Sequence, residues 1–153
     1  MKRQYHLPFL FFIVITAFCF SHCKKENNPL NITLYNKPVS TIKSYINGKW
    51  KIVYDLGGIT GNIRHDYVNS FVEFKFLVID SINETHNGST IIRSQIQWFK
   101  DRDLFTGDSI NLLGFNYYQT GLPFAYRISQ ITNDTLVVTQ PAPDSYSLML
   151  IRP

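Results

Sequence analysis

Apolar and polar residues alternate along most of this chain, beginning directly after Gly48. Trp50, Ile52 and Tyr54 alternate with neighbours that are mostly charged, and a second alternation runs from Val72 to Val78. Because successive side chains of a β-strand point to opposite faces, this period of two predicts strands with one buried face. The bulky side chains that the alternation places on the inward face are Trp50, Tyr54, Phe74, Phe76, Trp98, Tyr117, Phe124 and Tyr126.

Turn-forming residues separate the alternating stretches. Asn87-Gly88 is the strongest hairpin signal, because both residues tolerate the positive φ that a two-residue turn requires. Neither a long amphipathic helix nor an internal repeat is evident, so short strands at nearly regular spacing predict an antiparallel barrel or sandwich. Further turns are predicted near Gly57-Gly58, Asp101 to Asp108, Gly114, Thr120 to Pro123, Asn133-Asp134 and Pro141 to Asp144.

One short helix is predicted before the first strand. Apolar residues recur at helical spacing over residues 39–46. Ser40 or Thr41 is placed to cap the start of this helix, and Asn47-Gly48 is placed to end it. The segment therefore predicts one or two helical turns that lead into the sheet.

The helix followed by Gly48-Lys49-Trp50 at the start of the first strand resembles the Gly-x-Trp arrangement of lipocalins. Residues 46–54 and 148–152, together with Gly57-Gly58, also resemble small secreted barrel lipoproteins of the Bacteroidota. This resemblance implies an all-β fold over residues 39–153. It implies an antiparallel up-and-down β-barrel of about eight short strands, preceded by one short helix.

The resemblance also implies how one end of such a barrel is closed. In lipocalins an arginine near the last strand stacks on the tryptophan of the first strand. Arg152 lies on the same face of its strand as Leu148 and Leu150, so its parity suits this role with Trp50. A guanidinium over an indole face contributes ~0.5 to 2 kcal/mol. The alternative is that Arg152, as the penultimate residue, extends into water.

The N-terminus has the composition of an export signal. Lys2 and Arg3 precede an uncharged run from Leu7 to Phe20, which is shorter than the ~20 apolar residues of a membrane-spanning helix. Ser21 and Cys23 follow, and they resemble the acceptor site of bacterial lipoproteins, although His22 departs from that pattern. The resemblance implies removal of residues 1–22, lipid attachment at Cys23 and an outer-membrane lipoprotein of the cell envelope. An ordinary cleaved signal is the alternative.

Residues 23–38 are predicted to be the lipidated cysteine and a flexible tether. Asparagine and proline are frequent here, and few side chains could pack. The alternative is that Ile32, Leu34 and Tyr35 add an edge strand to the sheet. With the signal removed, no cysteine other than Cys23 remains, so the domain must be stabilised by core burial without disulfides.

Charge and motif content argue against several classes of function. Loss of Lys2 and Arg3 lowers the formal net charge from +4 to +2, which leaves no nucleic-acid footprint. His65 and His86 lack a second ligand at zinc spacing, and neither a nucleophile elbow nor a phosphate-binding loop is present. We therefore expect no metal, no cofactor and no enzyme. A catalytic alternative requires a cleft that brings His65 together with a carboxylate.

Two functional hypotheses remain. The first is a lipid-anchored lipocalin-like protein that binds a small apolar or amphipathic ligand in its barrel. The second is a barrel filled by its own side chains that acts as a protein-interaction or inhibitor module through loops such as Gly57 to Asn69 and Asp101 to Asp108. The expected partners are a membrane, through the N-terminal lipid, and either a small hydrophobic ligand or an envelope protein.

Overall fold

The protein is an antiparallel β-structure with one short helix near its start. The computed structural model describes residues 30–58, 60–103, 107–117, 120–142 and 144–153, so the predicted signal peptide and Cys23 lie outside the described residues. In chain order the elements are β1 (Asn31–Thr33), α1 (Val39–Ile46), β2 (Gly48–Gly57), β3 (Ile63–Asp66), β4 (Phe71–Phe76), β5 (Asp80–His86), β6 (Ser89–Gln95), β7 (Gln97–Arg102), β8 (Ser109–Asn116), β9 (Pro123–Thr132), β10 (Thr135–Thr139) and β11 (Ser147–Ile151).

Nine of these strands form one continuous sheet that curls into a half-barrel. Its order is β6-β5-β4-β2-β11-β10-β9-β8-β7, and all of its pairings are antiparallel. Two short strands lie beside this path, with β1 on the end of β9 and β3 on the end of β2. The predicted antiparallel all-β class with one preceding helix is confirmed. No helix among the described residues is long and apolar enough to cross a membrane.

The inward face of the curled sheet carries the core. Trp50 and Phe74 are its largest fully buried side chains. Ile42 and Ile46 of α1 are also fully buried, so the helix packs its apolar face onto this core. Burial of this apolar surface is the main stabilising contribution to the fold. Further core residues are Ile52, Val72, Ile82, Ile92, Leu113, Phe115, Tyr126, Ile128, Leu136, Val138, Leu148 and Leu150.

A β-bulge in β2 changes which side chains face inward. Tyr54 pairs with Met149 while Ile52 pairs with Leu150, so β2 has one residue more than β11 here. The extra residue shifts the alternation by one. Tyr54 therefore lies outside the core, where the guanidinium carbon of Arg64 is 3.9 Å from its ring centroid, and the prediction that it faces inward is wrong. Asp55 takes the inward place and is buried.

Residues 30–38 belong to the folded domain. Asn31–Thr33 pair with the end of β9, and Leu34 is fully buried with its backbone N–H donating to the carbonyl of Ser129 at 2.9 Å. A short strand is therefore added to the sheet here, and it contains Ile32 but neither Leu34 nor Tyr35 of the three residues in the edge-strand alternative. The asparagine-rich composition of this segment hid β1 and the buried Leu34 from sequence analysis. The polar side chains of β1 lie at its exposed positions, so they are compatible with a strand.

Helix α1 begins without the predicted side-chain cap. Pro38 precedes its first residue, its carbonyl accepts from the N–H of Ile42, and no side chain caps the start. Proline fixes φ at a value that suits a helix start, but it offers no side-chain acceptor to the first N–H groups of the helix. The prediction that Ser40 or Thr41 acts as the cap is therefore wrong. The predicted end is confirmed, since the Asn47 N–H donates to the Lys43 carbonyl.

Gly57 is required by close packing rather than by a turn. It ends β2, and a Cβ added there would contact the carbonyl oxygen of Ser145 and lie 2.7 Å from the Cα of Tyr146. Backbone atoms cannot move aside as a flexible side chain can. We expect Gly57→Ala to lower the free energy of unfolding by about 1–3 kcal/mol, measured by urea denaturation. The neighbouring Leu56→Ala, at an exposed position, serves as the control, and equal losses in the two variants would contradict this account.

Candidate functional site

The end of the half-barrel that carries α1 is closed by side chains, and we call it the helix end. The guanidinium carbon of Arg152 lies 3.9 Å from the ring centroid of Trp50, so the contact implied by the lipocalin resemblance is present. Arg152 also donates to the carbonyls of Tyr45 and Asn47, at 2.9 Å each. The indole N–H of Trp50 donates to the Ile46 carbonyl at 2.7 Å. Partial burial lowers the pKa of Arg152 from its ordinary value.

Gly48 is required by this arrangement for two reasons. Its φ is +108°, which side-chain-bearing residues rarely adopt. A Cβ at this position would also lie 3.1 Å from a terminal nitrogen of Arg152. The first residue of the Gly-x-Trp triplet is thus the one that lets the arginine approach the tryptophan.

The opposite end of the half-barrel, which we call the polar end, holds two buried carboxylates. Asp55 lies at the end of β2, inside the sheet because of the bulge. One of its oxygens is 2.8 Å from Nδ1 of His65, and the other accepts from the hydroxyl of Tyr67 at 2.8 Å. His65 is on β3 and half exposed, so its imidazole connects the buried carboxylate with the surface.

Glu84 of β5 is the second carboxylate, and its partners repeat the same pattern. One oxygen is 2.7 Å from Nε2 of His86, and the other accepts from the hydroxyl of Tyr126 at 3.2 Å. The ring centroids of Tyr67 and His86 are 4.8 Å apart, so the two carboxylate groups belong to one cluster. We call Asp55, His65, Tyr67, Glu84, His86, Tyr117 and Tyr126 the polar cluster.

The two carboxylates determine the electrostatics of the cluster. Burial is the main cause that raises the pKa of Tyr67, Tyr117 and Tyr126, because it disfavours the charged phenolate. The negative charge of Glu84 adds to the effect at all three tyrosines, and Asp55 adds to it at Tyr67 through a hydrogen bond and its charge. The three phenols therefore stay protonated and can donate hydrogen bonds over the whole neutral range.

An apolar depression borders the cluster at Tyr117. It has a volume of about 310 Å³ and is lined by Tyr117, Ile91, Thr120 and Leu122. Leu122 is 61% exposed at the turn that precedes β9. The polar end thus combines buried acceptors, phenol donors and two imidazoles with an adjoining apolar surface. Such a combination suits a small amphipathic molecule with a donor or cationic group.

The inward aromatic residues predicted from the alternation lie in different environments. Trp50, Phe74 and Tyr126 are in the core. Phe76 and Trp98 are only partly buried, at the helix end, and the indole N–H of Trp98 donates to Asp80 at 2.9 Å. These residues pack against one another with their ring centroids 6.3 Å apart.

The carboxylate that follows His65 in the sequence is not its hydrogen-bond partner. Asp66 instead accepts two hydrogen bonds from Arg64, at 2.9 and 2.7 Å, on the exposed side of β3. The carboxylate that holds Nδ1 of His65 is Asp55. Among the described residues, neither imidazole is hydrogen-bonded to a serine or threonine hydroxyl.

Sequence reasoning missed the two residues that form the centre of the polar cluster. Glu84 could have been found, because it shares strand parity with buried Ile82. Asp55 gave no such signal, since the bulge that turns it inward has no sequence signature here. Among the residues that the structure describes, no three histidine, cysteine or acidic side chains are placed to share a metal ion.

Comparison with models of protein families, with curated proteins and with solved structures found no match to this chain.

Proposed function

We propose that this protein is a lipid-anchored, lipocalin-like barrel of the bacterial cell envelope that binds a small amphipathic ligand at its polar end. The observation that carries the proposal is the polar cluster. A structural core has no need of two buried carboxylates, and here each is held by an imidazole and a phenol that offset the free-energy cost of burying it. Their placement beside an apolar depression, at the end opposite to Trp50 and Arg152, supports a binding role.

Several contacts support closure of the sheet into an eight-stranded up-and-down barrel. Strands β6 and β7 are separated only by Ile96, and they pair with β5 and β8 respectively. Ile92 of β6 also forms a bridge with Tyr117, just beyond β8, and the N–H of Asn116 donates to the hydroxyl of Ser94 at 3.1 Å. If β6 with β7, and β3 with β4, each count as one bent strand, and the three-residue β1 is left out, eight strands remain and the two edges meet.

The chemistry of the cluster indicates which ligands it would select. The two carboxylates give it a formal charge of −2 when the imidazoles are neutral, and its core-facing boundary is apolar. An amine or another hydrogen-bond donor on an apolar body would complement both features. The core side chains fill the interior below the cluster, so the binding site would be shallow and near the mouth of the barrel.

The proposed location follows from the N-terminal sequence. The charged start, the apolar run to Phe20 and Cys23 support export followed by lipid attachment. Several acyl chains hold a protein at a bilayer far longer than one chain does, because each buried methylene contributes about 0.8 kcal/mol. The protein would therefore act at a membrane surface, in the outer membrane of the envelope.

The direct test is native mass spectrometry of the full processed chain purified in mild detergent from its own envelope, followed by solvent extraction. We expect a bound small molecule at stoichiometric amount. Once it is identified, Glu84→Gln is expected to weaken its binding about tenfold or more, because the amide oxygen no longer carries the charge that the ligand pairs with.

Glu73→Gln is the matched control for this variant. Glu73 lies on β4, next to β5, but on the outer side, where it forms an ion pair with Lys75 at 3.0 Å. It should leave ligand binding unchanged. A chain recovered only at its bare lipidated mass, with no molecule extracted, would contradict the carrier proposal.

A second candidate function is protein interaction through the outer surface, and the filled core favours it. A groove of about 700 Å³ lies outside the bend between β6 and β7, where Phe99 packs over Gly114. Arg93, Gln95 and Gln97 add polar groups to its wall. Capture of an envelope protein that is lost when Phe99 is changed to Ser, but kept in Glu84→Gln, would favour this function over the carrier.

A further inference from the structure

The turn between β4 and β5 exposes three consecutive large apolar side chains. Leu77, Val78 and Ile79 are 85%, 99% and 58% exposed. The alternation predicted Val78 as an inward residue, but β4 ends at Phe76 and the turn extends away from the core. Turns are normally rich in glycine, proline and small polar residues, so a solvated turn of this composition requires an explanation.

The turn lies at the helix end of the half-barrel. Gly48 at the start of β2 pairs with Phe74, two residues before β4 ends. Lys43 of α1 forms an ion pair with Asp80, the first residue of β5, so the helix is fixed beside the turn. This ion pair holds the base of the turn, while Leu77 and Val78 at the tip of the turn are exposed to solvent.

The N-terminal segment enters the fold at this same end. Strand β1 pairs with the last residues of β9. Thr132 of β9 also pairs with Thr135, the first residue of β10, and Thr135 pairs with Ile151 at the end of β11. Leu30, the first described residue, is another partly exposed apolar side chain. Both the start of the folded domain and the apolar turn are therefore on the side away from the polar cluster.

We propose that the turn formed by Leu77, Val78 and Ile79 inserts into the surface of the bilayer that carries the N-terminal lipid. This inference rests on the proposed lipid attachment. Only six residues lie between Cys23 and Leu30, so Leu30 at the helix end stays within about 25 Å of the lipidated cysteine even when the chain between them is fully extended. An apolar tip at that end reaches the depth of about 5–10 Å at which interfacial segments bind.

The functional consequence is a fixed orientation of the barrel. A single flexible attachment would let the domain tumble and present any face to the membrane. A second contact at the helix end directs the polar end into the aqueous phase, where a water-soluble or exchanging ligand can reach it. The lipid holds the protein at the membrane, and the turn fixes the orientation of the protein there.

The first test places a polarity-sensitive fluorophore on Val78→Cys in the full, lipidated chain, reconstituted in vesicles of phosphatidylethanolamine and phosphatidylglycerol. We expect blue-shifted emission that is quenched by lipid-attached quenchers. The control label, on Ser89→Cys at the opposite end of the barrel, should emit as in water. Aqueous emission from both labels overturns the inference, and so does a Val78 label that is shielded by a second copy of the chain or by another protein.

A second test does not depend on the lipid. In the chain from residue 23 onward, without the signal sequence and carrying Cys23→Ser, changing Leu77 and Val78 to Ser is expected to reduce binding to the same vesicles about tenfold, through loss of buried apolar area. Val68→Ser with Ile63→Ser is the matched control, since both positions are exposed, at 75% and 43%, and lie away from the turn. Equal binding of the two double variants overturns the inference.

The mass of the N-terminal peptide separates this inference from the proposed anchor. A peptide without lipid removes the anchor, while the second test still decides the role of the turn. A lipidated peptide with an aqueous Val78 label keeps the anchor and overturns the inserted turn.

Discussion

A domain that begins at Val39 is expected to lose about 4 kcal/mol or more of unfolding free energy relative to one that begins at Leu30. The missing residues include Leu34, which is fully buried, and the three residues of β1 that pair with β9. Truncating a buried leucine to alanine alone costs about 2–5 kcal/mol. Losing the whole segment also leaves backbone groups at the end of β9 without partners.

This loss is a large part of the total stability of an ordinary domain, about 5–15 kcal/mol. Urea denaturation of both forms measures it directly. In the full processed chain, Leu34→Ala should account for about half or more of the effect, whereas Asn31→Ala, at an exposed position of β1, should change the midpoint little. A domain starting at Val39 with the same midpoint as the longer one would mean that residues 30–38 only lie on the surface.

The parts of the fold that follow from local chemistry could be predicted from the sequence. Asn87 and Gly88 have φ values of 49° and 84° between β5 and β6, as a two-residue hairpin requires. The alternation around Trp50 and Phe74 correctly identified the buried face of two strands. The resemblance to lipocalins and the strand parity of Arg152 together predicted that this residue stacks on Trp50, and the contact is present.

The parts that depend on distant strands could not be predicted in the same way. A bulge is defined by the pairing of two strands. The change between Ile52 and Tyr54 in which residues of β2 face inward therefore appears only when β2 is paired with β11. For the same reason Asp55 was assigned to the wrong face, and its contact with His65 was not foreseen. Leu34 is a single apolar residue among polar neighbours, so no period distinguishes it from a tether residue.

The polar cluster shows how a candidate site arises from these unpredictable features. Tyr126 was predicted to be one of the aromatic residues facing the interior, where it is buried. What the sequence did not give is its hydrogen bond to Glu84, which comes from a strand 42 positions earlier. The buried polar groups therefore converge through the curling of the sheet and not through a motif.

Stability is expected to fall steeply above pH 10, with Tyr126 as a main cause. Burial and the charge of Glu84 raise its pKa well above the ordinary value of 10.0, so the native state keeps a proton that the unfolded chain releases. The stabilising contribution is fully present below pH 10 and is lost as the pH rises above it. For this one group the loss grows with every pH unit above 10 until the pH reaches the raised pKa of Tyr126 in the folded protein. Tyr67 and Tyr117 add smaller amounts, because solvent screens partly exposed groups.

Tyr126→Phe isolates this contribution. At pH 8 the variant should be less stable by about 1–3 kcal/mol, because one oxygen of Glu84 loses its donor. Between pH 10 and 12 the difference in stability from the parent chain should narrow, by at most about 1.4 kcal/mol for each pH unit, since phenylalanine has no proton to lose. The control is Ile128→Val on the same strand and face, which should lower stability equally at every pH. Urea denaturation across this range measures both, and a gap that stays constant for Tyr126→Phe would show that the phenol does not stay protonated in the native state.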